Sequence, residues 1–378
     1  MEMKILLTSG KEKQTKDDFD LFSGQIAGVC YMQNGIDSLL NEDSKKSLKR
    51  AEMTKSNGHH SVFEHEYISL YLENVPKLFA MLLNNEKAYV TSEKSARYTN
   101  MECNGITSEL YDKWYAIFAK LITEKYGNET YFTKSRIDKL AKENARYFLS
   151  VFTPTSLVYT TSYRQLNYLY SWLSNIENTQ NKYLKKLESV AKEFCALLEE
   201  NNLVGNFDDG KERDFSLFAK KDCKEYFGDV YVTKYKASFA LLAQTQRHRT
   251  LSYEISPIYP SEYFVPKILQ SDEKLKKMWL EDMQKCSDEH PQAELVNIIE
   301  KGTPENFVLK TKERLCTSAQ QEIMESTKNT LLKYIEKTDD EVLKEYLKKY
   351  SAGARCTSGY KCKTPCKFKD GINLEREI

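Results

Sequence analysis

Residues 238–249 read SFALLAQTQRHR: an apolar run from Ser238 to Gln246 with helical spacing, closed by Arg247-His248-Arg249. Just upstream, Val230-Tyr231-Val232 has the β-branched and aromatic character of a strand. Helical patterns are expected further on at 273–288, 291–301 and 317–337. The same order occurs earlier in the chain. Ile5-Leu6-Leu7 reads as a short strand, Ala27–Tyr31 starts an element expected to be helical, and 43–56 reads as a solvated helix leading to Gly58. Tyr67–Leu72 reads as a half-buried strand and Val75–Leu83 as a helix. Long amphipathic helices follow at 107–126, with Leu110, Trp114, Ile117 and Leu121 on one face and Gly127 as the stop, and at 181–200. Between the two series, Asn201–Arg213 is polar and carries Gly205 and Gly210. The expectation is an α/β (α+β) fold in two homologous halves, 1–205 and 206–378, each a mixed β-sheet packed with long helices.

Composition narrows the function. The 378 residues carry 56 Lys+Arg against 55 Asp+Glu, a net charge of +1, which argues against general nucleic-acid binding. No apolar run approaches the about 20 residues of a membrane span. The N-terminus turns polar too early for a secretory signal. Nine cysteines spread over a long chain suggest reduced thiols and a cytoplasmic setting.

Several clusters could carry chemistry. Gly58-His59-His60-Ser61-Val62-Phe63-Glu64-His65 holds three of the five histidines; it reads first as a capped helix start with Ser61 and Glu64 as the capping pair, then as an organic-ligand site, and only distantly as a metal site. Arg247-His248-Arg249 places two guanidiniums around an imidazole, an anion cradle or else a solvated basic turn. Glu93-Lys94-Ser95-Ala96-Arg97-Tyr98 combines small residues with a cation, either a phosphate loop or an exposed polar loop. Ala145-Arg146, Ser162-Tyr163-Arg164, and Arg314 ahead of Ala319-Gln320-Gln321-Glu322-Ile323 are individually ordinary. Cys356, Cys362 and Cys366 lack the CxxC spacing of zinc sites, so no metal is expected.

Taken in order, these clusters resemble the flavin-dependent thymidylate synthases. That family carries a G-H-x-S-x-x-E-H segment, a Q-x-x-R-H-R helix end, a S-x-N-E-x-S-x-R-Y loop, an A-R, an N-x-R, and an Arg ahead of A-Q-W-E-I. The pieces are divided between the halves. Where R-H-R is due in the first half the chain has Asn85-Glu86-Lys87, yet Ser95–Tyr98 survives there. The second half keeps Arg247-His248-Arg249, but its following loop, Ser252–Tyr259, is one residue short and lacks the Arg. Leu173 stands where the first half should have its late Arg, and Arg314 holds that place in the second. The resemblance thus implies two fused family domains with one composite working site, the other site having lost nucleotide binding.

The roles the resemblance implies are these. Deoxyuridine monophosphate (dUMP) would be held by Gln244, Arg247, Glu93, Ser95, Ala96, Arg97 and Arg146. Arg314 would be catalytic, lying against the pyrimidine. FAD would be met by His59, Ser61, Glu93, Ser162, Arg164, Arg247, His248 and Arg249. Methylenetetrahydrofolate would donate the carbon and NADPH the electrons. A fused chain would assemble as a homodimer in place of the family's homotetramer. Ser162 replaces the family's Asn and Gln321 its Trp. The alternatives are a flavin- and folate-dependent pyrimidine C5 hydroxymethylase or a non-catalytic nucleotide-binding relative.

Overall fold

The computed structural model describes residues 1–8, 14–95, 105–207, 214–350, 353–362 and 376–378. In chain order its elements are β1 (Glu2–Thr8), α1 (Lys16–Ala27), α2 (Asp37–Leu40), α3 (Ser44–Ser56), β2 (Tyr67–Pro76), α4 (Lys77–Leu83) and β3 (Tyr89–Glu93). There follow α5 (Gly105–Tyr126), α6 (Lys134–Ala145), β4 (Pro154–Ser162), α7 (Tyr163–Ser174), α8 (Lys182–Lys185) and α9 (Glu188–Glu200). Then come β5 (Tyr226–Phe227), β6 (Tyr231–Ser238), α10 (Phe239–Thr245), β7 (Ser252–Pro257), α11 (Glu273–Lys285), β8 (Leu295–Gly302), α12 (Pro304–Arg314), α13 (Gln321–Lys337) and α14 (Glu341–Lys348). The fold is α+β.

The strands form two four-stranded sheets of the same order, β1-β2-β4-β3 and β5-β6-β8-β7. Pairing between these strands is antiparallel throughout, so neither sheet is mixed in the parallel–antiparallel sense expected from the sequence. In each sheet the second strand runs directly into a seven-residue helix, α4 after Pro76 and α10 after Ser238. Asn85-Glu86-Lys87 and Arg247-His248-Arg249 therefore leave their helices at the same offset. Pro76 pairs with Pro154 at the start of β4, as Ser238 pairs with Leu295 at the start of β8. After these strands, Ser162 and Thr303 cap α7 and α12 by accepting from the backbone N–H of Gln165 and Asn306. Leu173 and Arg314 lie at the same depth in those two helices.

Three elements differ from expectation. Most of residues 291–301, expected as a helix, form β8 instead. Val296, Ile298 and Ile299 are β-branched and buried, and Glu300 is fully buried with partners. The helix expected to begin at Ala27 instead ends there, and Val29–Tyr31 is one 3₁₀ turn. The 181–200 helix is broken into α8 and α9 around Lys186 and Leu187.

The chain divides into two compact units that do not follow the sequence order of the expected halves. The first comprises Met1–Lys94 with Pro154–Phe215 and contains the sheet β1-β2-β4-β3. Alternate residues of β2 (Ile68, Leu70, Leu72) and β4 (Leu157, Tyr159) line its core. The second comprises Ser95–Thr153 with Ser216–Ile378. Its core joins Trp114 and Phe118 of α5 to Trp279 and Met283 of α11, the two tryptophan rings meeting edge-on at 4.8 Å. Buried Asp282 accepts from Trp114 Nε1 at 2.9 Å and also pairs with Lys113 and Lys285.

Candidate functional site

Besides Ser95, the second unit holds six of the expected site residues among those described, Arg146, Gln244, Arg247, His248, Arg249 and Arg314. α10 ends in Gln244 and Thr245, and the tight turn after it leaves Arg247 and Arg249 exposed while it buries His248. α12 presents Arg314 to that turn: Arg314 Nε donates to His248 Nε2 at 2.7 Å, and Nη2 donates to the Gln244 carbonyl at 3.2 Å. Since a guanidinium N–H can only donate, Nε2 of His248 is the acceptor and its proton sits on Nδ1. Burial, then the charges of Arg314 and Lys310, push the His248 pKa down to about 2, so the imidazole is neutral.

A second chain of hydrogen bonds starts from the same helix. Gln244 Nε2 donates to Gln320 Oε1, which also accepts from the Arg146 guanidinium. Gln320 Nε2 donates to the Tyr147 hydroxyl at 2.7 Å, and Tyr147 donates to Glu322 Oε2 at 2.6 Å. Glu322 also accepts from the Ser238 N–H at 2.9 Å and the Ser238 hydroxyl at 2.6 Å. Burial raises the Glu322 carboxyl above its ordinary range, against the hydrogen bonds from Ser238 and Tyr147. Arg146, from the segment between β3 and β4, thus joins Gln244 and Arg314 from the later part of the chain. Gln244 Oε1 is buried and has no hydrogen-bond partner among the described residues. An acceptor left open there suits the N–H of a planar heterocycle.

Behind this cluster lies a network, buried except for half-buried Tyr235, that the sequence reading missed. Glu300 accepts from Tyr231 at 2.7 Å, Tyr235 at 2.6 Å and Lys310 at 2.6 Å. Lys310 precedes Arg314 by one helical turn, which is the only signal the sequence offers for it.

Of the remaining expected residues, Ala96 and Arg97 lie outside the described residues, Ser95, half-buried at their edge, belongs to the second unit, and the others lie in the first unit. Glu93 is buried in an ion pair with Lys77 and accepts from Thr155 at 3.2 Å. His59 and Ser61 are exposed. The capping pair expected of Ser61 and Glu64 does not form: His60–Glu64 is a 3₁₀ turn whose start has no side-chain cap, and Glu64 instead accepts from Arg164 at 2.8 Å. Arg164 also donates to Tyr168 at 3.0 Å. His60 is buried between Tyr168 and the Lys55 carbonyl, each 2.9 Å away. The Ser162 hydroxyl is engaged as the α7 cap. Asn85, Glu86 and Leu173 are all buried. Cys356 and Cys362 are exposed, and Cys366 lies outside the described residues. Among the described residues no group of His, Cys, Asp and Glu is arranged to hold a metal, and no helix is long and apolar enough to cross a membrane.

Residues 14–195 match the model of the family described as thymidylate synthase complementing protein. That segment, just under half of the chain, is similar to the family its motifs resemble. Among solved structures, thymidylate synthase X from Helicobacter pylori with FAD and dUMP is 18% identical, over 53% of this chain and 99% of its own, with a TM-score of 0.31. A second structure of the flavin-dependent enzyme from Helicobacter pylori, complexed with FAD and dUMP, is 19% identical over 53% and 99%, with a TM-score of 0.30. A UMP/dUMP methylase from Streptomyces cacaoi, PolB, bound with 5-Br dUMP, is 15% identical over 53% and 92%, with a TM-score of 0.35. Likeness this slight transfers neither site residues nor activity. No curated protein matches the chain.

Proposed function

We propose that the protein is a flavin-dependent thymidylate synthase. It would convert dUMP to thymidylate with a one-carbon unit from methylenetetrahydrofolate and electrons from NADPH. Two family domains would be fused, with one working site per chain and two chains per homodimer. The observation that carries the reading is the convergence of Arg146, Gln244, His248 and Arg314 on one partly buried polar cluster, together with the family match over 14–195. The equal offsets of 85–87 and 247–249, and of Leu173 and Arg314, support a duplication in which one copy has replaced its cations.

In this reading the open Gln244 Oε1 accepts from the pyrimidine N3–H. Arg314, anchored by His248 and the Gln244 carbonyl, stabilises negative charge that develops on the ring as C5 becomes nucleophilic. Arg146 and Arg247, with Ser95, Ala96 and Arg97, bind the phosphate. Exposed Arg249, Arg247, His59 and Ser61, together with the Arg164 guanidinium, are the groups that would hold FAD, and His248 and Glu93 would border it. Ser162 fits that role less well because its hydroxyl already caps a helix. FAD, when bound, supplies the redox chemistry.

The test is a flavin spectrum of the purified protein with tritium release from C5-labelled deoxyuridylate, comparing wild type with Arg247→Ala and Arg97→Ala. Both variants should lose release. A colourless protein without release would reject the proposal, and identification of the methyl or hydroxymethyl product would separate thymidylate synthesis from C5 hydroxymethylation.

A further inference from the structure

We propose that Gln320 is a positioning residue of this cluster: its one amide holds Arg146 and Gln244, from segments far apart in the sequence, in the arrangement that receives the nucleotide. Gln320 has no part in the functional reading above, and the proposal rests on that reading only where nucleotide turnover is measured.

The first observation is where the side chain is not used. Gln320 stands just before the first turn of α13, with an extended backbone (φ −64°, ψ 147°). The corresponding residues of α11, α12 and α14 are Asp272, Thr303 and Asp340, and each accepts a backbone N–H of its own helix through its side chain. Gln320 makes no such bond, although α13 is 17 residues long. Its amide is turned into the cluster instead, where the residue is 2% exposed. The backbone on either side is held in place. Arg376 Nη1 donates to the Ala319 carbonyl at 2.6 Å, and Gln321 Nε2 donates to the Arg376 carbonyl at 3.4 Å.

The second observation is what the amide holds. Gln320 Oε1 accepts from both the Arg146 guanidinium and Gln244 Nε2, while Gln320 Nε2 donates to the Tyr147 hydroxyl at 2.7 Å. This amide cannot be reversed. A guanidinium only donates, so the atom facing Arg146 must be the oxygen. Tyr147 is free to accept from Nε2 because its own proton goes to Glu322 Oε2 at 2.6 Å, and burial keeps that proton on the phenol. With Gln320 Oε1 so placed, Gln244 must offer its amide N–H, which leaves Gln244 Oε1 as the open acceptor. Gln320 therefore sets both the orientation of Gln244 and the position of buried Arg146. Arg314 is held by other groups, His248 and the Gln244 backbone carbonyl. Loss of the Gln320 amide should weaken nucleotide binding and spare the step that Arg314 assists.

The experiment compares full-length wild type with Gln320→Leu, which removes both functions of the amide, and with Gln320→Glu, which keeps an acceptor for Arg146 and Gln244. Without nucleotide, arginine-labelled protein is read by ¹⁵N–¹H correlation of its guanidinium groups, and Arg146→Lys assigns the signals. Wild-type Arg146 should show separate Nη resonances, because its hydrogen bond slows rotation about Nε–Cζ. Gln320→Leu should merge them and Gln320→Glu should keep them apart. With nucleotide, tritium release should show a KM for deoxyuridylate at least about 10-fold higher in Gln320→Leu, with kcat within about three-fold of wild type. In Gln320→Glu the KM should stay within about three-fold. A fall in kcat at unchanged KM, equal impairment in the two variants, or Arg146 signals unaltered by Gln320→Leu would overturn the proposal. Should Gln320→Leu not fold, Tyr147→Phe removes only the anchor of Nε2 and should raise KM by about two- to five-fold, and an unchanged KM there would be equally decisive against it. Arg146 resonances that are separate in wild type and merge in Gln320→Leu, in a protein that binds neither flavin nor deoxyuridylate, would instead reject the functional reading and leave this one standing.

Discussion

Replacing Glu322 separates its hydrogen bonds from its charge. The carboxylate accepts three hydrogen bonds, from the Ser238 N–H, the Ser238 hydroxyl and the Tyr147 hydroxyl, and Ser238 and Tyr147 have almost no exposure. In Glu322→Ala all three donors lose their acceptor. An unsatisfied buried donor costs about 1–3 kcal/mol. Glu322 also lines a cavity of about 350 Å³ beside Tyr235 and Thr330, so water can enter and the low end applies, about 3 kcal/mol in total. For a unit of this size that corresponds to a fall in Tm of about 6–12 °C. Glu322→Gln keeps an acceptor for the Ser238 N–H, and both hydroxyls can rotate, so its loss should stay below about 1 kcal/mol. The pH dependence has a definite sign. Burial raises the folded-state carboxyl, so wild type is favoured below the unfolded value near 4.5 and loses that contribution as pH rises through the folded value. The amide variant has no such loss, and the Tm difference should therefore move in favour of Glu322→Gln between acid and neutral pH. Differential scanning calorimetry at several pH values measures all three proteins. Equal Tm values for the alanine and glutamine variants at neutral pH would refute the assignment of Glu322 as the anchor between α13, β6 and Tyr147.

Three further outcomes are expected. Gln244→Leu removes the open acceptor and should weaken deoxyuridylate binding about 10-fold or more by calorimetric titration, with little change in flavin content. Lys87→Ala should leave tritium release within about two-fold of wild type, whereas Arg247→Ala abolishes it; comparable losses in both would contradict the assignment of a single working site. Asp282→Ala strands Trp114 Nε1 and should destabilise its unit by about 1–3 kcal/mol, read from tryptophan fluorescence in denaturant. Burial pushes the Asp282 carboxyl up, but Lys113, Lys285 and Trp114 outweigh it and hold it below 3.8, so this contribution is present above that pH and lost as pH falls through the folded value.

Periodicity made the long elements legible. α5, α9, α11 and α13 have apolar stripes, and β2 and β6 lie close to where their residue types place them. β8 was obscured by Glu300 and Lys301, since a charge in a short apolar run suggests a solvated helix face until its partners are known. The cations of Gln244–Arg249, Arg146 and Arg314 were legible as a set through motif order. Their connection through Gln320 and Tyr147 was not, because hydrogen bonds between residues more than 170 positions apart leave no local signature. Lys310 escaped notice for the opposite reason: a lysine in a helix rich in lysine and glutamate is ordinarily solvated, and only its burial distinguishes it. Likewise the apolar face of α5 shows that the helix packs but not that Trp279 is its partner.

The interleaved division of the chain bears on how it is made. Residues 95–153 belong to the second unit, yet they leave the ribosome well before residues 216–378. Trp114 must wait for Trp279, on the order of ten seconds or more at ordinary translation speed. During that interval α5 presents an unsheltered aromatic face to chaperones and to neighbouring nascent chains. Cutting the gene at residue 205 would make the delay permanent in the amino-terminal product, and only supplying the missing piece in trans could end it.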